Sequence, residues 1–520
     1  MATKEVKVKT IHNNVVGLKI EDIIISECRE KGLEIPLLLK PVAHFLLDAE
    51  NPHKEANRRL RDSLSHTVGC GVEYAREPIA NFSFADLFAG VGGFRIALEA
   101  LGGECVGFSE IDARAIETYE LNFPTRGEQR LGDIREIDVV PGNPDLIVGG
   151  VPCQSWSIAG KNRGFKDTRG ALWGDTVRVV ENTQPNAFIF ENVKGLADPR
   201  HSEELQFLLG EFKRIGYKVE YDKLDACEFG HPQSRVRTYI VGIKSRDAFS
   251  RFELPKGTES SRPIYHFLEN IPKPLLEQYD QFGQRTLFNM NHRTGSSTGR
   301  VSGSVNDYFI FNDVRNGQTT IHSWDIQDTT ETEQRLCIAL LENRRNKKYG
   351  PKDGNPLSPD DLLALEPTAD EKTIATLMNK GIFREREPGK YDFANSRISS
   401  GLNGIYRIFM PHAPNFSTLT ASGSNDYVSI YSISGNSIDA YKKTFISDIY
   451  EPENYRKLTK REWARLQGFP EDFVLHESDS ASKKQMGNAV PIKVVEAIAE
   501  RLIQTGALGE TMEPAEMTVN

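Results

Sequence analysis

One stretch constrains the fold of this chain more than any other. An apolar run from Phe84 to Phe88 enters the turn Gly90-Val-Gly-Gly93, and apolar residues then recur at Phe94, Ala97, Leu98 and Leu101. That recurrence is i, i+3, i+4, i+7, one face of a helix. A strand, a glycine turn and a helix start open a doubly wound α/β sheet, and the missing β-carbons let a ligand lie on the backbone. Glu110 closes a second apolar stretch, Cys105 to Phe108. It stands about 20 positions past Gly90, where such folds place an acid for ribose hydroxyls. The turn departs from G-x-G-x-x-G at its third glycine, so no pyrophosphate cradle is specified. A nucleoside cofactor without a pyrophosphate fits better than a nicotinamide dinucleotide.

A buried-strand pattern, Asp145-Leu-Ile-Val-Gly-Gly150, leads through the stiff Pro152 to Cys153. The carboxyl end of a strand is where open α/β sheets bind ligands. The cysteines, Cys28, Cys70, Cys105, Cys153, Cys227 and Cys337, are dispersed without a C-x-x-C pair, so neither a metal site nor a disulfide framework is expected. No apolar stretch approaches the roughly 18 residues of a membrane span, and a cytosolic protein is expected. The formal charge of −9 argues against nucleic-acid affinity over the whole surface. Positive patches must then be local. The candidates are Arg344, Arg345, Lys347, Lys348 and Lys352, and the stretch of Arg456, Lys457, Lys460, Arg461 and Arg465. Solvated helix faces would read the same way.

Six blocks follow one another along the chain: Phe88-Ala-Gly-Val-Gly-Gly93, Gly132-Asp-Ile134, Pro152-Cys-Gln154, Glu191-Asn-Val193, Gln233-Ser-Arg-Val-Arg237 and Gly487-Asn-Ala-Val490. With these in this order, residues 82 to 243 and 455 to 505 resemble the cytosine-5 DNA methyltransferases that use S-adenosylmethionine. The resemblance implies a Rossmann-like, mostly parallel α/β sheet of the class I methyltransferase kind, with a smaller mixed target-recognition domain. It assigns Phe88, the backbone of Ala89, Gly90, Val91, Gly92 and Gly93, Glu110, Ile111, Asp133, Ile134, Pro152 and Asn488 to the cofactor, whose product form is S-adenosylhomocysteine. Ile111 departs from the aromatic residue usual at that position.

Chemistry accounts for the rest of the site. Cytosine C5 is a poor nucleophile until a thiolate adds at C6, and Cys153 is the candidate for that covalent step. Charge pushed onto N3 needs a proton, and Glu191, at the end of the buried run Ala187-Phe-Ile-Phe190, is the candidate acid. Arg237 would meet O2, with Arg235 beside it, and the sequence does not rank the two. A cytosine in duplex DNA must be rotated out of the stack. The loop from Ser155 to Gly170 offers Ser157, Lys161, Arg163 and Arg169 for closing over DNA, with Gln154 and Gln233 also expected there.

Residues 1–81 are expected to form a helical extension, 82–265 the first part of the cofactor-binding domain and 266–455 the target-recognition domain. Residues 456–510 would be a hinge and return to the first lobe, and 511–520 a tail. Within the recognition region, Ser358-Pro359 starts a helix, Thr368 and Glu371 would cap the next, Gly381 ends it and Pro388-Gly389 turns a hairpin. Rival readings are an RNA cytosine methyltransferase, a silent DNA-binding protein on the same fold, and a dehydrogenase. The partner expected is double-stranded DNA bound by a monomer, with a cognate restriction endonuclease in the same cell.

Overall fold

The computed structural model describes residues 79–123, 128–152, 171–258, 262–271, 308–317, 319–396, 406–423, 426–433 and 437–508. Of the helical extension expected over residues 1–81, residues 1–78 lie outside them.

The first lobe alternates strands and helices. Its strands are β1 (Phe82–Leu87), β2 (Gly103–Ser109), β3 (Gln129–Arg130), β4 (Leu146–Gly150), β5 (Ala187–Val193), β6 (Lys218–Asp225) and β7 (Val236–Ile243). Among the described residues they form one sheet in the order β3-β2-β1-β4-β5-β7-β6. Strands β1 to β5 are parallel, whereas β7 runs antiparallel to both β5 and β6. The sheet is therefore mostly parallel, as the strand and helix alternation predicts. Strand order reverses at β1, which has β2 on one side and β4 on the other. That switch point opens a crevice at the carboxyl ends of the strands.

The crossovers supply α1 (Gly93–Glu99), α2 (Ala113–Asn122), α3 (Ala171–Thr183) and α4 (Ser202–Arg214), and α5 (Arg246–Arg251) follows β7. Alternation along each strand sorts side chains to two cores. Phe82 and Phe84 of β1 and Ile189 of β5 face one; Ala85, Leu87, Phe188 and Phe190 face the other. The second core is closed by Trp173, Val177 and Val180 of α3 and by Leu208 and Phe212 of α4, whose ring lies 4.4 Å from that of Phe188.

The region expected to recognise the target forms a separate mixed sheet from β8 (Tyr308–Phe311), β9 (Thr320–Ile321), β12 (Tyr406–Phe409), β13 (Tyr427–Ser429) and β14 (Tyr455–Arg456), in the order β14-β13-β12-β8-β9. Between β9 and β12 come α6 (Ser323–Ile326), α7 (Glu331–Asn343), α8 (Pro359–Leu365), α9 (Glu371–Asn379) and the hairpin β10 (Phe383–Glu387) to β11 (Lys390–Phe393). Leu336, Leu340, Leu362, Ile374, Leu377, Phe383 and Phe393 give this unit its own core. Helix and hairpin positions match the sequence reading, with one correction. Asp370 caps α9 through the Thr373 N–H at 2.8 Å, because the Thr368 hydroxyl turns back to Glu366 instead.

After α10 (Ile438–Phe445), the chain returns through α11 (Lys460–Gln467), α12 (Asp479–Asn488) and α13 (Ile492–Gln504). Helix α13 packs on α1, burying Val494, Val495, Ile498 and Leu502 beside Phe94 and Leu98.

Candidate active site

The turn after β1 is built for close approach. Phe88, Gly90 and Gly92 all take left-handed backbone conformations, at φ of 55°, 57° and 87°. A β-carbon on Gly90 would meet nothing within 4 Å, so this backbone faces open space. A β-carbon on Gly92 would instead lie 2.3 Å from the Phe123 ring. One glycine leaves room for a ligand and the other makes room for α2. Glu110, after β2, reaches across to this turn: one carboxylate oxygen accepts from the Gly90 N–H at 2.8 Å, the other from the N–H groups of Ile111 and Asp112 at 2.7 and 2.8 Å. The acid thus braces the two loops that flank the crevice.

Other residues expected at the cofactor fall in different settings. Asp133 caps the short turn Ile134–Glu136 and is ion-paired with Arg135, which holds its carboxyl below the ordinary range. Ile134 is buried in the core on the α3 side, whereas Ile111 is 70% exposed. Ala89, Val91 and Gly93 are buried in or under the turn. Asn488 is exposed at the end of α12. These groups could hold a nucleoside bearing free ribose hydroxyls: a glycine turn with open space above it, and an acid tied to that turn.

The acid site lies one strand further along the sheet. Gly150, at the end of β4, is paired in register with Glu191 of β5, and a β-carbon there would stand 3.7 Å from a Glu191 carboxylate oxygen. Arg237 of β7 pairs with Glu191 at 2.9 Å, and both side chains are largely buried. Burial pushes the Glu191 carboxyl up, and the positive charges of Arg237 and Arg235 only partly oppose it. Next to it, Asn192 donates to the Val151 carbonyl at 2.9 Å, fixing the chain just before Pro152, which is exposed. The sequence reading passed over Asn192, although it stands in the Glu191-Asn-Val193 block. Cys153, Gln154, Ser157, Lys161, Arg163 and Arg169 lie outside the described residues.

The two arginines that the sequence left unranked separate clearly. Arg235 is 2% exposed and donates to the carbonyls of Leu419, Gly487 and Ala489 at 2.8, 3.0 and 2.9 Å. Gln233 is wholly buried, accepting from the Leu419 N–H at 2.9 Å and donating to the Leu466 carbonyl at 3.3 Å. The side-chain amide expected to touch DNA is instead occupied inside the protein. The segment Phe416 to Ala421 is held against this block. The Ser234 N–H donates to the Phe416 carbonyl at 3.0 Å, the Phe416 N–H to the Pro232 carbonyl at 2.8 Å, and the Thr418 hydroxyl to the Ser234 carbonyl at 2.6 Å.

Both positive patches are partly neutralised within the fold. Arg344 is buried against Asp392 at 3.1 and 2.8 Å, Lys352 pairs with Glu387 at 2.6 Å, and Arg345 pairs with Asp353 at 3.1 Å. Arg456 is bound to Glu462 at 2.6 Å and Arg465 to Glu471 at 2.6 Å. Among the described residues, no group of His, Cys, Asp and Glu could hold a metal ion, and no helix is long and apolar enough to cross a membrane.

Comparison with known proteins agrees with this geometry. Residues 82–504 match the family model for the C-5 cytosine-specific DNA methylase. The chain is 47% identical over 422 residues to the type II methyltransferase M.HgiBI of Herpetosiphon aurantiacus, covering 81% of this chain and 96% of that protein. It is 34% identical to M.BanI of Aneurinibacillus aneurinilyticus over 447 residues, covering 81% and 95% of the two chains, and 29% identical to M.HpaII of Haemophilus parainfluenzae over 428 residues, covering 81% and 89%. A turn open to a nucleoside, a buried acid paired with arginine and this extent of identity lead to one assignment: the chain belongs to the C-5 cytosine-specific DNA methylase family and is a DNA cytosine-5 methyltransferase.

Proposed function

We propose that the protein methylates C5 of a cytosine rotated out of a specific double-stranded DNA sequence, through a transient bond between Cys153 and C6. The observation that carries this reading is the Glu191 and Arg237 pair, buried beside the end of β4, from which the chain runs into Pro152 and Cys153.

The Cys153 thiolate adds to C6, which breaks the aromaticity of the ring and makes C5 an enamine-like carbon. Glu191, kept protonated to higher pH by its burial, gives a proton to N3. Arg237 holds Glu191 through Nε and donates from one terminal nitrogen to the Val236 carbonyl, and the N–H groups that remain would meet O2. Loss of the C5 proton, expulsion of the thiolate and return of the N3 proton to Glu191 then restore the ring. S-adenosylmethionine, when bound, supplies the electrophilic methyl group. Phe88, the turn from Ala89 to Gly93, Glu110, Ile111, Pro152 and Asn488 would hold it, and Asp133 would receive the adenine amino group while sharing its carboxylate with Arg135. Ile134, buried behind that turn, supports the wall rather than touching a ring face. Gln154, Ser157, Lys161, Arg163 and Arg169 would contact DNA as the base leaves the stack, a step costing on the order of a few kcal/mol. Arg235 and Gln233 brace the site from inside and do not touch the base.

The type II relatives support a role in protecting host DNA from a cognate restriction endonuclease. Bisulfite sequencing of DNA from a methylation-deficient host expressing the protein tests the whole reading. The expected result is methylation confined to one short sequence, absent from the Cys153→Ala variant. Undiminished methylation by that variant, or no methylated cytosine with the unaltered chain, overturns it.

A further inference from the structure

Three parts of the molecule meet at one buried cation. The Arg235 guanidinium fastens the Leu419 carbonyl of the recognition region to the carbonyls of Gly487 and Ala489, which flank Asn488, and Arg235 lies two residues before Arg237 on the approach to β7. The segments it joins are also in direct contact. A β-carbon on Gly487 would stand 2.4 to 2.6 Å from main-chain atoms of Thr420 and Ala421, so α12 and the 416–421 segment approach backbone to backbone. Gln233 adds a second tie on the recognition side, to Leu419 and to Leu466 at the end of α11, but does not reach 487–489.

Resting on the function proposed above, we propose that Arg235 is a positioning residue that couples cofactor occupancy to DNA occupancy. A ligand that orders the 487–490 segment fixes two of the three carbonyls, and the shared guanidinium then fixes the third, at the base of the recognition segment. DNA held by the recognition region does the same in the other direction. Linkage requires the two effects to be equal, and couplings of this kind typically span about 5- to 150-fold in affinity. A buried guanidinium suits the task because its planar fork directs several donors at fixed angles, whereas a lysine acts as a point charge on a flexible stem.

The test measures S-adenosylhomocysteine affinity by titration calorimetry, with and without saturating duplex carrying the sequence that bisulfite sequencing identifies. The ratio of the two affinities is the coupling. For Arg235→Met the ratio should fall toward one, by at least about threefold given the usual range, and Arg235→Lys should lie between. Gln233→Leu should weaken duplex binding while leaving S-adenosylhomocysteine affinity in the absence of DNA near that of the unaltered protein. Thermal melting identifies variants that fold, and if Arg235→Met does not, Arg235→Lys carries the test. A folded variant whose two affinities fall together at an unchanged ratio makes Arg235 a structural brace only and overturns the proposal. If the unaltered protein methylates no cytosine, the functional reading fails; if it methylates and the ratio stays unchanged, only the coupling fails.

Discussion

A carboxyl that serves as an acid near neutral pH has to be shielded from water without being locked into its ionised form. Glu191 meets both conditions, since burial raises its affinity for the proton and a single close guanidinium tempers the rise. The sign follows from the direction. With the folded pKa above the unfolded one, the proton is held as pH rises until the folded pKa is passed, and stability contributed by the neutral carboxyl is lost across that same window. Single-turnover methyl transfer followed against pH should therefore fall on the alkaline side. Glu191→Gln should lower the rate by about 10²- to 10⁴-fold and remove that limb. His231 titrates in the opposite sense. Burial, with Lys493 and Arg235 nearby, presses it down to about 3, and its Nε2 accepts from the Lys493 N–H at 3.1 Å. Folding thus favours the neutral ring. Its stabilisation is complete above the unfolded value near 6.5 and is lost progressively as pH falls toward the folded one. Between pH 6.5 and 5 this residue alone should cost the protein about 2 kcal/mol, and His231→Asn should flatten the loss in urea unfolding at the two pH values. Glu191 was legible in the sequence because its own strand announces burial. His231 was not, because its surroundings are assembled from a helix some 260 residues away.

Elements differ in how far local pattern decides them. The strand, turn and helix from Phe82 to Glu99 could be read from spacing alone, and α4 likewise, since its apolar face repeats at Leu205, Leu208, Leu209 and Phe212. What spacing could not divide was the labour among the turn's glycines, which depends on what packs against each. Gly92→Ala would force a left-handed alanine and drive its methyl into Phe123. A loss of about 2 to 4 kcal/mol is expected from the strain and overpacking together. Gly90→Ala meets open space and bears only the backbone penalty, about 1 to 2 kcal/mol. Its methyl would nevertheless fill the open face at which the cofactor is proposed to bind. S-adenosylhomocysteine binding should accordingly drop more for Gly90→Ala than its melting temperature suggests, whereas Gly92→Ala should lose melting temperature first. Equal losses of binding per degree of melting in the two variants would contradict this division. The basic stretches show the same limit on local reading. Arg344 and Arg456 look like surface charge in a list of residues, yet each has a carboxylate waiting in the folded chain at Asp392 and Glu462.

At the scale of the whole molecule, the fold is closed by residues from its far end. The core between the sheet and α1 is completed only when α13 returns, and the spacing of Val495, Ile498, Ala499 and Leu502 marks that helix as amphipathic. The sequence could not tell what the apolar face would meet. The structure seats it on α1, the helix that begins at the glycine turn, so the packing of α13 and the turn share one core. Ile498 is fully buried there, and Ile498→Ala should cost about 2 to 5 kcal/mol. For a lobe of this size that corresponds to a fall in melting temperature of roughly 5 to 15 °C. Gln504→Ala, at an exposed position on the same helix, should stay within about 0.5 kcal/mol. Because α13 supports α1 directly, amide exchange in Ile498→Ala should accelerate first across residues 93–99, some 400 positions earlier in the chain, and before the β10 to β11 hairpin, whose core is its own. Uniform acceleration in both regions would mean that the two cores open as a single unit.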